Sequence, residues 1–307
     1  MLKRLVDWVG ASLLLVLVWL RLRLSDRATD RLARVVAALA PFAVPSRHRV
    51  AVRNLKRAFG ASKTREERAR ILRESYLHGV TAFFDLLPLF RMTREAWLTR
   101  VEFTGEEHLR AALARGKGVI VVSAHYGAFP ALGAAIPSLG VHLALLYRKP
   151  KSPKTRKLFD DWLDRTGCEI IEDTPRHLAG LRCLEALGRG ACLGILIDQH
   201  FPAGIDVPFF GAPARTGVGA ALLAVRSGAP FVPIRILRTA PGRYRVAIEP
   251  VIEPPAGRSR EALAACTAAL TARVEAWIRE EPGHWFWIHR RWKELDRIED
   301  SHTQTRG

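Results

Sequence analysis

The chain has 307 residues, 49% of them apolar, with a formal net charge of +18 and a pI near 10.7. That is enough apolar surface for a sizeable buried core, and the charge is scattered rather than run together, which argues against a simple nucleic-acid arm. The four cysteines, Cys168, Cys183, Cys192 and Cys266, form no C-x-x-C pair and no zinc spacing, so a disulfide scaffold and a zinc module are excluded and a reducing, cytoplasmic setting fits. The positive field favours acidic partners: nucleic acid, anionic lipid, phosphorylated substrates or an acidic carrier protein.

In chain order, the first feature is LVDWVGASLLLVLVWL (5–20), apolar apart from Asp7, with Lys3 and Arg4 before it and Arg21, Arg23 and Arg27 after. A spanning helix wants about 20 apolar residues, and this run is shorter. The Ala-Leu-Ala at 38–40 stands too far downstream for signal-peptide cleavage. The expectation is an uncleaved anchor over residues 1–24 that spans at little tilt or lies in the interface, followed by one domain over 25–307. A buried core helix is the alternative, and basic residues on both flanks leave the orientation open.

Residues 26–60 place basic and apolar residues at helical spacing, broken by Pro41 and Pro45. The stretch 62–90 reads as a long helix capped by Ser62 or Thr64, with acidic residues in its first turn. From Gly118 the pattern becomes short apolar runs separated by helices. Strands are expected at 118–123, 141–147, 168–172, 191–197, 230–237 and 243–249. Helices are expected at 129–138, 154–166, 175–189, 216–228 and 260–281. This alternation predicts an α/β fold, a single domain with a largely parallel central sheet flanked by helices. Ligands gather at the carboxyl ends of strands in such sheets, and His125 and Asp198 both stand just past a strand end.

His125, in Ser-Ala-His-Tyr-Gly, is a candidate general base: a neutral imidazole accepts a hydroxyl proton near pH 7. The amides of Tyr126, Gly127 and Ala128 in the same turn are candidates to hold an oxyanion, and Gly127 admits close substrate approach. A structural histidine is the alternative. Asp198 closes an apolar strand, where a carboxylate is costly unless paired, so it marks a site or a buried ion pair. Arg148 follows its strand in the same way and suits phosphate or carboxylate, or a pair with Asp198. Residues 206–216 read as a loop leading into a helix, with Thr216 as its cap and Arg215 adding to an anion site, or as an ordinary capped core helix. PGHWFWIHRRWK (282–293) interleaves tryptophan with basic residues. It suits a membrane interface better than a nucleic-acid platform, with a packed helix end as the alternative.

Together these stretches resemble the late acyltransferases of lipid A biosynthesis, the lauroyl- and myristoyl-transferase family within the lysophospholipid acyltransferase superfamily. The likeness rests on RNLKRAFG (53–60), YRKPKSPK (147–154), the Asp198-Gln199 and Phe209-Phe210-Gly211 region, and the Trp-x-x-Arg-Arg-Trp-like end. It implies an acyltransferase domain over 25–307 that moves a fatty acyl chain from acyl carrier protein or acyl-CoA to a hydroxyl of a lipid acceptor, most simply a lipid A precursor or a related glycolipid or phospholipid. It implies no metal or other cofactor, no nucleic acid, and a place at the cytoplasmic face of a bacterial inner membrane. His125, Asp198 and Arg148 take the catalytic roles in this reading. Tyr126, Gly127, Phe209, Phe210, Gly211, Arg215 and Thr216 take substrate-binding ones. The family's histidine is followed five residues later by Asp or Glu, which orients the imidazole. Here Pro130 holds that place, so either the base works without an orienting acid, at part of its rate, or a carboxylate from elsewhere substitutes, Asp198 first and Asp85 second. The other reading is a lipid-binding member of the family with weakened or lost turnover.

Overall fold

The computed structural model describes residues 16, 19, 21, 23–89, 92–148, 156, 157, 160 and 167–304, with backbone alone at 86–89 and 299–304. Most of the apolar run at 5–20 and of the helix expected at 154–166 lies outside these residues. Among the described residues, no helix is long and apolar enough to cross a membrane.

Three helices open the chain: α1 (Asp26–Ala43), α2 (Pro45–Phe59) and α3 (Arg65–Leu89). Ser25 caps α1 through its hydroxyl. Pro41 lies inside α1, in its last turn, and the helix ends two residues later. Pro45 instead starts α2, where a missing N–H costs nothing. Thr64 caps α3 reciprocally: the Glu67 N–H donates to Thr64 Oγ1 at 3.2 Å and the Thr64 N–H to Glu67 Oε2 at 2.6 Å.

The short helix α4 (Arg94–Leu98), strand β1 (Val101–Thr104) and α5 (Glu106–Leu113) were not foreseen. Then come β2 (Val119–Ser123), a 3-10 turn (Phe129–Ala131), α6 (Leu132–Ser138), β3 (Leu143–Tyr147), β4 (Glu169–Glu172), α7 (Arg176–Gly188) and β5 (Cys192–Leu196). A hairpin of β6 (Ile205–Phe209) and β7 (Ala212–Thr216) precedes α8 (Gly219–Ser227), β8 (Phe231–Ala240), β9 (Arg243–Ile248) and α9 (Arg260–Glu280). A second 3-10 turn (Pro282–His284) and α10 (Lys293–Gln304) end the described chain.

Seven strands form one sheet in the order β1-β9-β8-β2-β5-β3-β4, parallel except for the β8–β9 pair. The expected α/β architecture is therefore present. Alternation along β2 sends Val119 and Val121 into a core shared with α5 and α6, and Ile120 and Val122 into one shared with α7, α8 and α9. A third core, rich in aromatic residues, ties α2 and α3 to the hairpin and to residues 285–292.

Register positions the site. β5 lies beside β2 although β3 and β4 come between them in sequence, and Ser123 pairs with Leu196. Two residues further along each strand stand His125 and Asp198.

Candidate active site

Asp198 is buried, with 3% of its side chain exposed. Its Oδ1 lies 2.9 Å from His125 Nδ1. Its Oδ2 accepts from the His125 backbone N–H at 3.0 Å and from Trp285 Nε1 at 2.8 Å. Burial alone would raise this carboxyl's pKa, but the adjacent imidazole and the three donors hold it down, to about 2. An ionised carboxylate only accepts, so in the neutral form of the His125 ring the proton sits on Nδ1 and Nε2 keeps its lone pair. The Gln199 side-chain amide stands 3.1 Å from that Nε2.

Pro130 thus sits where the motif carboxylate is missing, while Asp198 holds the imidazole from the neighbouring strand. Asp85 is elsewhere: it pairs with Arg238 at 2.5 Å. The ring of His125 is also bracketed by Phe129 and Phe286, at centroid distances of 4.8 and 6.3 Å. Residues 282–287 back the site as a clamp. Gly127 N–H donates to the His284 carbonyl, Phe286 N–H to the His125 carbonyl, and Ser75 Oγ–H to the Trp285 carbonyl at 2.6 Å.

A cavity of about 1050 Å³ opens at His125 and is lined mainly by aliphatic side chains. Gln199, His200, Arg148, Arg176 and Arg226 stand on its wall. Among the described residues no cluster of His, Cys, Asp and Glu could hold a metal ion.

Several expectations need correction. The amides of Tyr126, Gly127 and Ala128 do not await an oxyanion, because they donate to the carbonyls of Ala124, His284 and Ile236. Gly127 holds φ +59° in a turn so close to β8 that a Cβ would meet the Ile236 carbonyl at 2.2 Å. Its absent side chain serves packing. Tyr126 faces the core and donates to the Trp277 carbonyl at 2.9 Å. Arg148 pairs with Asp173 at 2.7 Å, not with Asp198, and is largely exposed at the cavity rim.

Phe209, Phe210, Gly211, Arg215 and Thr216 do not line the cavity. Residues 206–216 form most of the β6–β7 hairpin rather than a loop. Phe210 and Gly211 make its two-residue turn, at φ +52° and +75°. Phe209 and Phe210 pack edge-on against each other in the aromatic core. Arg215 pairs with Asp206 at 2.8 Å. Thr216 caps nothing: it ends β7, and its hydroxyl donates to the Ala214 carbonyl and accepts from Arg291. The membrane-interface reading of 282–293 also fails, because Trp285, Trp287, Trp292 and Arg291 are at most 1% exposed. Arg291 donates to the carbonyls of Gln199 and Arg215 and to Thr216 Oγ1, tying the hairpin to the site.

Sequence reasoning missed Gln199, Trp285 and Phe286 as site residues. Gln199 carries the plainest signal, since it follows Asp198 directly. Trp285 and Phe286 fall in the 282–293 stretch, whose tryptophan and arginine pattern points to an interface rather than to the site.

The model of a family described as bacterial lipid A biosynthesis acyltransferase matches residues 1–294. The chain belongs to that family. It is accordingly an enzyme that transfers acyl groups. Among curated relatives, a lipid A biosynthesis lauroyltransferase of Escherichia coli is 28% identical over 94% of this chain and 91% of its own length. A phosphatidylinositol mannoside acyltransferase of Mycobacterium tuberculosis is 26% identical over 84% of this chain and 85% of its own. A 1-acyl-sn-glycerophosphate (LPA) acyltransferase structure from Thermotoga maritima covers 83% of this chain and 99% of its own at 15% identity, with a TM-score of 0.39.

Proposed function

We propose that this lipid A-family acyltransferase moves a fatty acyl chain from an acyl thioester, on acyl carrier protein or coenzyme A, to a hydroxyl of a lipid acceptor at the cytoplasmic face of the inner membrane. The single observation that carries the reading is the Asp198–His125 pair, with His125 on the wall of a large, mainly apolar cavity. Nε2 accepts the acceptor's hydroxyl proton while the hydroxyl oxygen attacks the thioester carbonyl. Asp198 stabilises the imidazolium that forms, and the departing thiolate takes the proton back as the tetrahedral intermediate collapses. The backbone amides of the His125 turn being engaged, the Gln199 amide beside Nε2 is the donor we assign to the oxyanion. Arg148 at the rim supplies positive charge toward the phosphate or the acidic surface of the donor. The acceptor is a lipid A precursor or a related glycolipid, a reading supported by the relatives' activities.

Turnover by the detergent-purified full chain, offered labelled acyl donors with a lipid A precursor and several lysolipids, tests this. His125→Ala should lower transfer by about 10²–10⁴-fold. Turnover unchanged by that substitution would exclude the base. The lipid-binding reading without turnover draws its support from Pro130, and the Asp198–His125 contact weighs against it.

A further inference from the structure

The walls of the cavity lie on both faces of the sheet. Its volume of about 1050 Å³ lies just above the ~300–1,000 Å³ range of sites that enclose a single small ligand. On one face its lining includes Val121, Leu145 and Gly194 with Gly133 and Ile136 of α6. On the other it includes Ile195 with Ala179, Gly180 and Cys183 of α7 and Ala220 and Leu223 of α8. Both sets end at His125, where the strands finish.

The first branch stays open because position 194 has no side chain: a Cβ there would meet Leu145 Cδ2 at 2.7 Å. The second stays open because α7 and α8 present small residues to it.

The surroundings of the two branches differ. The α6 branch adjoins α3, whose Ser75, Gly79, Ala82 and Phe83 line the cavity and which packs on both the 129–131 turn and α1. Helix α1 carries exposed Val35, Leu39 and Phe42. A lipid arriving from an apolar phase meets this side. The α7–α8 branch adjoins Arg148, Arg176 and Arg226, all exposed. An acidic, water-borne donor meets that side.

We propose that the enzyme holds two hydrocarbon chains at once, one on each face of its sheet: the donor's acyl chain between β5, α7 and α8, and an acyl chain of the acceptor lipid between β5, β3 and α6. The reacting carbonyl and hydroxyl then meet at His125 from opposite sides of β5. This inference rests on the transferase reading above. It predicts that an acceptor is recognised by its own hydrocarbon, not by its polar head alone.

Two helical glycines test it. Gly79 and Gly180 both line the cavity, and a Cβ added at either meets no other atom within 4 Å. Replacing them favours the helix, so the variants should fold. Gly180→Phe should shift donor preference toward shorter chains without changing KM for the acceptor. Gly79→Phe should raise KM for an acylated acceptor about tenfold, the loss of roughly two buried methylenes, and leave donor chain preference alone. Gly194→Ala should act as Gly79→Phe does. A single shared effect, in which either phenylalanine changes donor preference and acceptor KM together, would overturn the proposal.

Equilibrium binding of a fluorescent fatty acid to the full chain separates this from the transferase reading, because it needs no turnover. Two sites in the native protein, one remaining in each phenylalanine variant, support two branches. One site only, or loss of both in either variant, rejects them. Failure of the transferase reading would show instead as binding intact with no His125-dependent transfer.

Discussion

At the scale of single residues, the decisive contact is one that no local motif announces. His125 and Asp198 were both legible as polar residues closing apolar strands. The sequence nominates Asp198 as the first substitute partner for His125, but whether the two meet depends on β5 lying beside β2 and on Ser123 facing Leu196. Asp198→Asn should therefore cost about 10²–10⁴-fold in turnover: an amide in its place no longer stabilises the imidazolium and permits the wrong tautomer. Circular dichroism should show the fold retained. Pro130→Glu should bring no gain, because Nδ1 already has its acceptor at 2.9 Å. A rise in activity from Pro130→Glu would mean that Asp198 does not serve His125 during catalysis. Gln199→Leu should lower kcat more than it raises KM, since its amide is assigned to a charge present only in the transition state.

At the scale of elements, apolar periodicity located six of the seven strands of the central sheet and, among the described helices past Gly118, α6, α7, α8 and α9 but not α10. The misses have physical causes. β1 is only four residues long, with two of them exposed, so it offers no apolar run. The β6–β7 hairpin turns on Phe210-Gly211 rather than Asn-Gly or Asp-Gly, and Pro208 and Pro213 argue against strands. Its turn stands because the Phe210 N–H donates to Glu275 and the ring is held in the aromatic core. The 282–293 segment was misread because tryptophan and arginine in sequence look alike whether they face lipid or a buried network. Arg291, with no exposed surface, satisfies three oxygen acceptors. Arg291→Met should thus cost about 3 kcal/mol or more in urea unfolding, through acceptors left unmet.

The contact of α3 with the second 3-10 turn sets a pH dependence of stability. His78 and His284 stack with centroids 3.7 Å apart. Burial first, then His284 and Arg238, push the His78 pKa down to about 3, and burial with Arg235 pushes that of His284 to about 4. In the unfolded chain both titrate near ~6.5. Between those values the unfolded state binds more protons, so stability is complete above about pH 6.5 and falls as the pH drops toward 4. The denaturation midpoint should decline between pH 7 and pH 5, and His78→Phe should flatten the decline. An unchanged slope in that variant would remove the histidine pair as its cause.

At the scale of the whole molecule, the charge of +18 acquires a direction. Residues 31–64 hold eight Lys or Arg and no Asp or Glu. They form most of α1 and all of α2, where Val35, Leu39, Phe42 and Val52 are 49–82% exposed. Isolated exposed apolar side chains are ordinary, but a stripe of them among cations is the composition of a surface that lies on anionic lipid. Each basic residue near such a surface contributes about 1 kcal/mol, attenuated by salt, and apolar insertion adds a part that salt does not screen. Phe42, the most exposed of the four at 82%, would insert furthest. The full chain should therefore float with vesicles containing anionic lipid and less with neutral ones, and raised salt should weaken the attachment without abolishing it. Phe42→Glu should reduce flotation at every salt concentration while leaving the unfolding midpoint unchanged, because this side chain has little packing to lose. Flotation equal to that of the native chain would move membrane contact off α1 and α2. It would also leave the α6 side of the cavity without a lipid source beside it.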